Sequence, residues 1–439
     1  MKRRASITAV LTAALALSCV ACAPPESSTT LSFRLWDPNV AAAYRTSFDA
    51  FEAKTGHRVD IVVIPWEDYW SQLRTDIASG TIDDVFWTNA TNLAEYARAG
   101  TLSAVSPAQI ADQSRDWAPS VVSQFTLDGE LWGVPQLTDP GIGVLVNTDL
   151  LRSSGLSMDD VSDLSWDPKA PDDTLRTAAR LLTQDADGDH PGDPEFEQSR
   201  IVHYGYGASS DLNAMLLPFL GSNGGAWQRG DEFVFASPKG VEAIGYLVGL
   251  INDETVAPPA ADTVAPAGSD AVKDLFLKGR LALFQTGAYS LPSVEEFADF
   301  SWAIAPIPSG PEGRISPTNG IVASASSVTS NPDAQAALLH WLGSTEGTQA
   351  IGESGSTLPA VLSAQEQYRE VWMRRGIDVT PLFDVLENGS VQPPQGQNYG
   401  AASDAMRPFL DKAFLGAQAV EDNVHRAQRS ANEAMATEP

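Results

Sequence analysis

Aromatic side chains stand beside amides and carboxylates wherever the first predicted strands run out, a combination suited to gripping a polyhydroxylated ring. Trp36 and Asp37 end the first strand, Trp66 and Tyr69 end the second and open its helix, and Thr88 and Asn89 end the third. A sugar presents apolar C–H faces and a rim of hydroxyls. Aromatic platforms take the faces, and Asp, Asn and Thr take paired hydrogen bonds. The same rings could equally be core. Trp87, inside its strand, reads as core first, while Trp36 and Trp66 at strand ends read either way.

The elements that must position these residues follow from periodicity. Residues 31–36 alternate as a strand, and Val40, Ala43, Tyr44, Phe48 and Phe51 then recur at helical spacing until Gly56 offers a C-cap. Residues 58–64 read as the next strand, 67–79 as a helix, 84–87 as a buried strand and 93–99 as a helix ending at Gly100. Strand, helix, strand, helix, strand predicts a parallel sheet wound by crossover helices. Such sheets bind ligands just beyond the carboxyl ends of their strands.

The pattern breaks at the turn and short extended segment of residues 128–135, and a second unit begins with the extended apolar run 143–147. Helices are predicted at about 172–183, 211–220, 238–252 and 270–278, then a strand at 281–284, a further boundary at 302–308 and a mainly helical tail from Asp333. Residues 258–268 read as a solvent-facing Ala/Pro loop. At 439 residues the chain is too long for one ordinary core, and two lobes are expected.

Other chemistries are disfavoured by what the residues lack. His57, His190, His203, His340 and His425 are scattered without zinc-ligand spacing. The run from Gly347 to Ser354 mimics a phosphate-binding loop, but Glu353 stands where the neutralising lysine is needed. No G-x-S-x-G elbow is present. Asp185, Asp187 and Asp189 alternate as calcium ligands do, yet Phe196 falls where a bidentate acid is required, so a polar surface turn is expected ahead of a bound calcium. No cofactor and no metal are expected.

The amino terminus reads as an export signal. Lys2-Arg3-Arg4 precede an apolar run from Ala5 to Leu17, too short to span a bilayer, and small residues lead to Cys22. Cys22 followed by Pro/Ser residues resembles a lipobox, giving a lipid-anchored mature chain; cleavage after Ala23 would instead release a soluble protein. Residues 1–22 are therefore assigned as a lipoprotein signal peptide and 23–30 as a tether. The only cysteines, Cys19 and Cys22, lie in this leader, so no disulfide is expected in the exported part. Losing three cations and no anions with the leader moves the net charge from −28 to −31, which disfavours nucleic acid and anionic membrane surfaces.

At this point the chain resembles a family. The segments 51–56, 66–69, 78–85, 128–135, 147–150 and 277–282 occur in the order seen in extracellular solute-binding proteins of the family-one, carbohydrate-binding kind, the maltose-binding-protein-like components of ABC importers. The resemblance covers roughly residues 31 to 360. It implies an α/β fold of two lobes joined by a hinge that the chain crosses several times, with a ligand in the interlobe cleft and no catalysis. The expected lobes are residues 31–138 plus 304–330, and 139–303 plus 331–439. Expected partners are a carbohydrate, the transmembrane permease subunits and the membrane through the Cys22 lipid, with the protein a monomer at the outer face of the cell membrane.

The resemblance also suggests ligand residues. Asp139 matches a position where relatives place a ligand-binding acid or amide, and Asp211, Asn223 and Trp227 resemble the second lobe's contribution. Gly287 and Tyr289 resemble an aromatic stacking position, and Asn319 and Asn398, in segments read as irregular, could complete the cleft. Each has a plainer reading: Asp139 a turn residue before Pro140-Gly141, Trp227 a ring packed under a glycine turn. None of these positions is Lys or Arg, so a phosphate or carboxylate ligand would lack its usual partner, and a neutral mono- or oligosaccharide is expected. The two acids leave a polyamine or other cationic solute open. A secreted glycoside hydrolase is the competing reading; it needs two carboxyl groups about 5–10 Å apart across the scissile bond and, in a barrel, eight strand–helix units.

Overall fold

Two separate sheets organise the chain in the computed structural model, which describes residues 29–106, 110–171, 173–263, 268–416 and 419–437. The leader, the start of the tether and Cys22 lie outside the described residues. In the first sheet, strand Thr30–Leu35 pairs in parallel with Arg58–Val63 and with Val85–Asn89. Helices Pro38–Thr55 and Trp66–Ser79 make the crossovers. The Asp37 carboxylate accepts from the Asn39 backbone N–H at 2.8 Å and caps the first helix, and Gly56 ends it at φ 74°.

Strand Gly320–Ser326 enters this sheet from far along the chain, antiparallel to Val85–Asn89, Val134–Thr138 and Leu102–Ser103. The expectation of irregular structure at Asn319-Gly320 is corrected here, since Gly320 opens a seven-residue strand. A run of small residues, Ala-Ser-Ala-Ser, hid the alternation. The second sheet is built on Ile142–Asn147, antiparallel to both Leu281–Gly287 and Trp302–Pro306. Ile201–Tyr206 pairs in parallel with Leu281–Gly287.

The helical tail divides between the two sheets. Gln136, fully buried, accepts from the Tyr44 hydroxyl at 2.8 Å and donates to the Leu342 carbonyl at 3.0 Å. Trp341 donates to Ser47 Oγ at 2.8 Å, and Ser47 donates to the Gly347 carbonyl at 2.7 Å. Helices Pro332–Leu342 and Thr345–Ser354 thus pack on the first sheet's core and not with the second unit, where the expected 331–439 block places them. Their apolar faces carry no mark of which sheet they cover. Helices Tyr399–Phe414 and Val420–Met435 do pack with the second sheet's core. The 258–268 loop differs as well: Ala260–Thr263 is a helical turn with Ala260 and Thr263 buried.

Three crossings join the sheets, after Thr138, after Pro306 and after Ser354, and they are bonded to one another. The Asp139 N–H donates to the Asn319 carbonyl at 2.9 Å, and the Thr138 N–H to the Leu358 carbonyl at 3.1 Å. Gly141 sits at φ 119°, and a Cβ there would meet the Leu382 carbonyl at 2.6 Å. No side chain fits at that bend.

Candidate functional site

The carboxyl ends of the first sheet's parallel strands converge on an aromatic cluster. Trp36 lies at its centre, with ring centroids 5.2 Å from Trp66, 4.9 Å from Tyr69, 5.6 Å from Trp70 and 4.8 Å from Trp87. These edge-on contacts hold the indole of Trp66 in place while leaving it 45% exposed. Tyr69 and Trp87 are fully buried, and the Tyr69 hydroxyl donates to the Trp87 carbonyl at 2.7 Å. Trp66 is the free platform, and the other rings back it. Thr88 is fully buried with its hydroxyl unpartnered, and Asn89 caps the next helix by accepting from the Asn92 N–H at 3.1 Å.

A second group forms where the crossings meet the second sheet. Asp139 lies on the first crossing and is bonded through its N–H to Asn319 on the second. Asn319 donates from its side chain to Asn213 Oδ1 at 3.2 Å. Asp211, two residues earlier, caps its own helical turn by accepting from the Ala214 N–H at 2.6 Å. Tyr289 follows the strand Leu281–Gly287, and a Cβ on Gly287 would lie 2.3 Å from its ring, so glycine is what lets the ring lie flat over the strand end.

Tyr289 is 41% exposed, and burial together with the charges of Asp211 and Asp139 raises its hydroxyl pKa. Burial likewise pushes the Asp139 carboxyl up to about 7, and raises Asp211 against the pull of its backbone hydrogen bonds. Tyr368, fully buried on the helix Gln365–Arg374, has an unpartnered hydroxyl whose ionisation Asp139 opposes.

Burial raises the Asp37 carboxyl, its capped N–H groups lower it, and the charge of Lys273, on helix Gly268–Leu277 of the second unit, lowers it further. Lys273 is held by Asp270 at 2.6 Å. Gly400 comes up against Glu95 and Arg74 of the first unit, with its Cβ position 3.4 Å and 3.6 Å from their side chains. Burial raises the Glu95 carboxyl, and Arg74 opposes that.

Three of the suggested residues have internal contacts instead. Asn223 is fully buried and donates to the Lys239 carbonyl at 2.7 Å. Trp227 stacks on Phe235 at 4.3 Å and is 5% exposed. Asn398 donates to the carbonyls of Met435 and Thr437 at 3.2 and 2.5 Å, tying down the last helix. Sequence reasoning missed Asn213, Tyr368, Lys273 and Arg74. The Asp211-x-Asn213 pattern at a helix start was a usable signal for the first, and nothing local distinguishes the other three.

The remaining polar clusters are structural. Asp185 accepts from the N–H groups of Asp187, Asp189 and Glu197 at 2.8–3.0 Å, and Arg200 pairs with Asp187. Among the described residues no group of His, Cys, Asp and Glu is arranged to hold a metal. A recess of about 290 Å³ is bordered by Arg176, Tyr246 and Glu254, and Arg176 pairs there with Glu254. No described helix is long and apolar enough to cross a membrane.

The model of the family described as bacterial extracellular solute-binding protein matches residues 37–349. The structure of UspC from M. tuberculosis is 44% identical, covering 92% of this chain and 100% of that one, with a TM-score of 0.73. An ABC substrate-binding protein of Listeria monocytogenes, solved in complex with cycloalternan, is 20% identical over 94% of this chain and 100% of its own, with a TM-score of 0.79. An uncharacterized lipoprotein of Streptomyces antibioticus is 25% identical over 325 residues, 71% of this chain and 66% of that protein. Binding proteins of Brucella are 23% identical over 266 residues, and the chain spans 59% of their length.

Proposed function

The chain belongs to the bacterial extracellular solute-binding protein family, and from that premise we propose that it captures a sugar between its two lobes and hands it unchanged to a membrane permease. The observation that carries this reading is the exposed indole of Trp66, held by Trp36 at the carboxyl ends of the first sheet's parallel strands. In this reading Trp66 stacks on a ring face from the first lobe and Tyr289 from the second. Asp139, Asp211, Asn213 and Asn319 take the hydroxyl rim by charge-assisted and neutral hydrogen bonds.

Closure is favoured only when one ligand touches both lobes, so the closed form reports occupancy to a partner. The lobes of this proposal are built on the two sheets, with residues 332–354 carried by the first. Delivery to an ABC permease, export and anchoring through Cys22 extend the same reading. A lipid on a flexible tether would keep a mobile receptor near its transporter.

No bond is made or broken in this account. A hydrolase barrel would need eight strand–helix units, whereas the chain forms two mixed sheets of six and five strands. The experiment is a thermal-shift screen of the mature protein against neutral, amino and acidic sugars, with reducing ends assayed in parallel. A shift with a sugar and no release of reducing ends is expected. Response only to non-carbohydrate solutes, or steady release of reducing ends, would overturn the proposal.

A further inference from the structure

Helix Tyr399–Phe414 begins without a cap of its own. Asn398 stands at its N-cap position, but no side-chain cap bond forms there, and its amide donates instead to the carbonyls of Met435 and Thr437 at 3.2 and 2.5 Å. The first turn holds no acidic residue either. The Tyr399 N–H reaches the Gly396 carbonyl at 3.3 Å and the Ala402 N–H the Asn398 carbonyl at 3.0 Å. Among the described residues the N–H groups of Gly400 and Ala401 have no such acceptor. A start of this kind, on a helix of 16 residues, is electropositive and short of acceptors.

The carboxylate that stands there comes from the other lobe. Glu95 Oε2 lies 3.4 Å from where a Cβ of Gly400 would be, and Arg74 Nη1 lies 3.6 Å from it. Glu95 is carried by helix Ala90–Arg98, whose Leu93, Tyr96 and Ala97 are buried in the first sheet's core, while Tyr399 is buried in the second.

We propose that Glu95 caps helix Tyr399–Phe414 across the lobes, and that this contact is a clasp that holds the lobes in the arrangement seen here and breaks when they part.

The clasp joins two rigid supports outside the three crossings. Arg74 acts on Glu95 through its charge, yet no ion pair joins them among the described residues, and the Gly400 backbone comes up against both side chains. A guanidinium beside an electropositive helix end is unfavourable alone, so the Glu95 carboxylate offsets both at once. At position 400 a methyl group would only touch the two side chains, whereas anything longer would push them off the helix.

The test reads lobe-to-lobe distances in the ligand-free mature protein by double electron–electron resonance. Spin labels at Ser79→Cys and Arg426→Cys, exposed positions on helices of the first and second lobe, are placed in a Cys22→Ser background that removes the remaining thiol of the mature chain. Loss of a helix cap should raise the ratio of longer distances to the one in this structure about two- to thirtyfold in Glu95→Ala. Gly400→Leu should move it in the same direction, and Gly400→Ala should leave it unchanged. Amide hydrogen exchange at Gly400 and Ala401 should quicken by the same factor in Glu95→Ala, with circular dichroism showing all three variants folded. Coincident distances in wild type, Glu95→Ala and Gly400→Leu would overturn the clasp. Faster exchange with unmoved distances would also overturn it, leaving Glu95 a local cap. No ligand is present, so either failure leaves the sugar reading standing.

Discussion

Replacing Asp139 with Asn should stabilise the ligand-free protein, and by an amount that depends on pH. Burial holds the Asp139 carboxyl at about 7 in the fold, against 3.8 as its ordinary value. An acid with a raised folded pKa keeps its proton in the native state after the unfolded chain has lost it, so stability falls as pH rises from about 4 to 7 and the penalty is complete above 7. At about 1.4 kcal/mol per unit, the full window is worth about 4 kcal/mol, and cleft water screening a half-buried group reduces that toward about 2. Asn has no proton to lose. The gap between variant and wild type should therefore widen by about 1–3 kcal/mol between pH 5 and pH 8. Urea unfolding of both proteins at the two pH values measures it, and the chain's other acids cancel in the difference. A gap that does not change with pH would refute the assignment of Asp139 as a desolvated, unpaired acid.

Other outcomes follow from the same contacts. Trp66→Ala should weaken sugar binding about thirty- to a hundredfold with little change in Tm, because the exposed half of an indole is worth about 2–3 kcal/mol of stacking area; Trp87→Ala, fully buried, should cost about 3–5 kcal/mol of stability in urea unfolding. Gly141→Ala, at φ 119° and 2.6 Å from the Leu382 carbonyl, should destabilise by about 1–3 kcal/mol and broaden the unfolding transition.

The first sheet was largely legible because its strands and helices are marked locally. Asp37 caps and Gly56 terminates the first helix as those residue types prefer, and the rise of aromatics at strand ends led directly to Trp36 and Trp66. What escaped is non-local. Gly320–Ser326 pairs with strands about 180 to 240 residues away, and a run of Ala and Ser gives it no hydrophobic alternation. Helices 332–354 are apolar enough for either core, and only the bonds from Gln136 and Ser47 decide between them.

The candidate site shows the same division. Asp139, Asp211, Gly287, Tyr289 and Asn319 are brought together, and each sits at an end or a crossing, where a chain's direction can be read from its sequence. Asn223 and Trp227 occupy a glycine turn that looks the same whether it faces a cleft or a core; the packing against Phe235 and the bond to Lys239 turn them inward. Lys273 and Tyr368 belong to ordinary amphipathic helices, and only tertiary packing brings them within electrostatic reach of Asp37 and Asp139.

The measurement that bears most directly on a receptor that holds sugar without altering it is titration of the mature protein with its best sugar, followed by mass analysis of the ligand recovered after unfolding the complex. One sugar bound per chain, returned at unchanged mass, is the predicted result. A ligand returned cleaved, or no carbohydrate that saturates the protein, would contradict it.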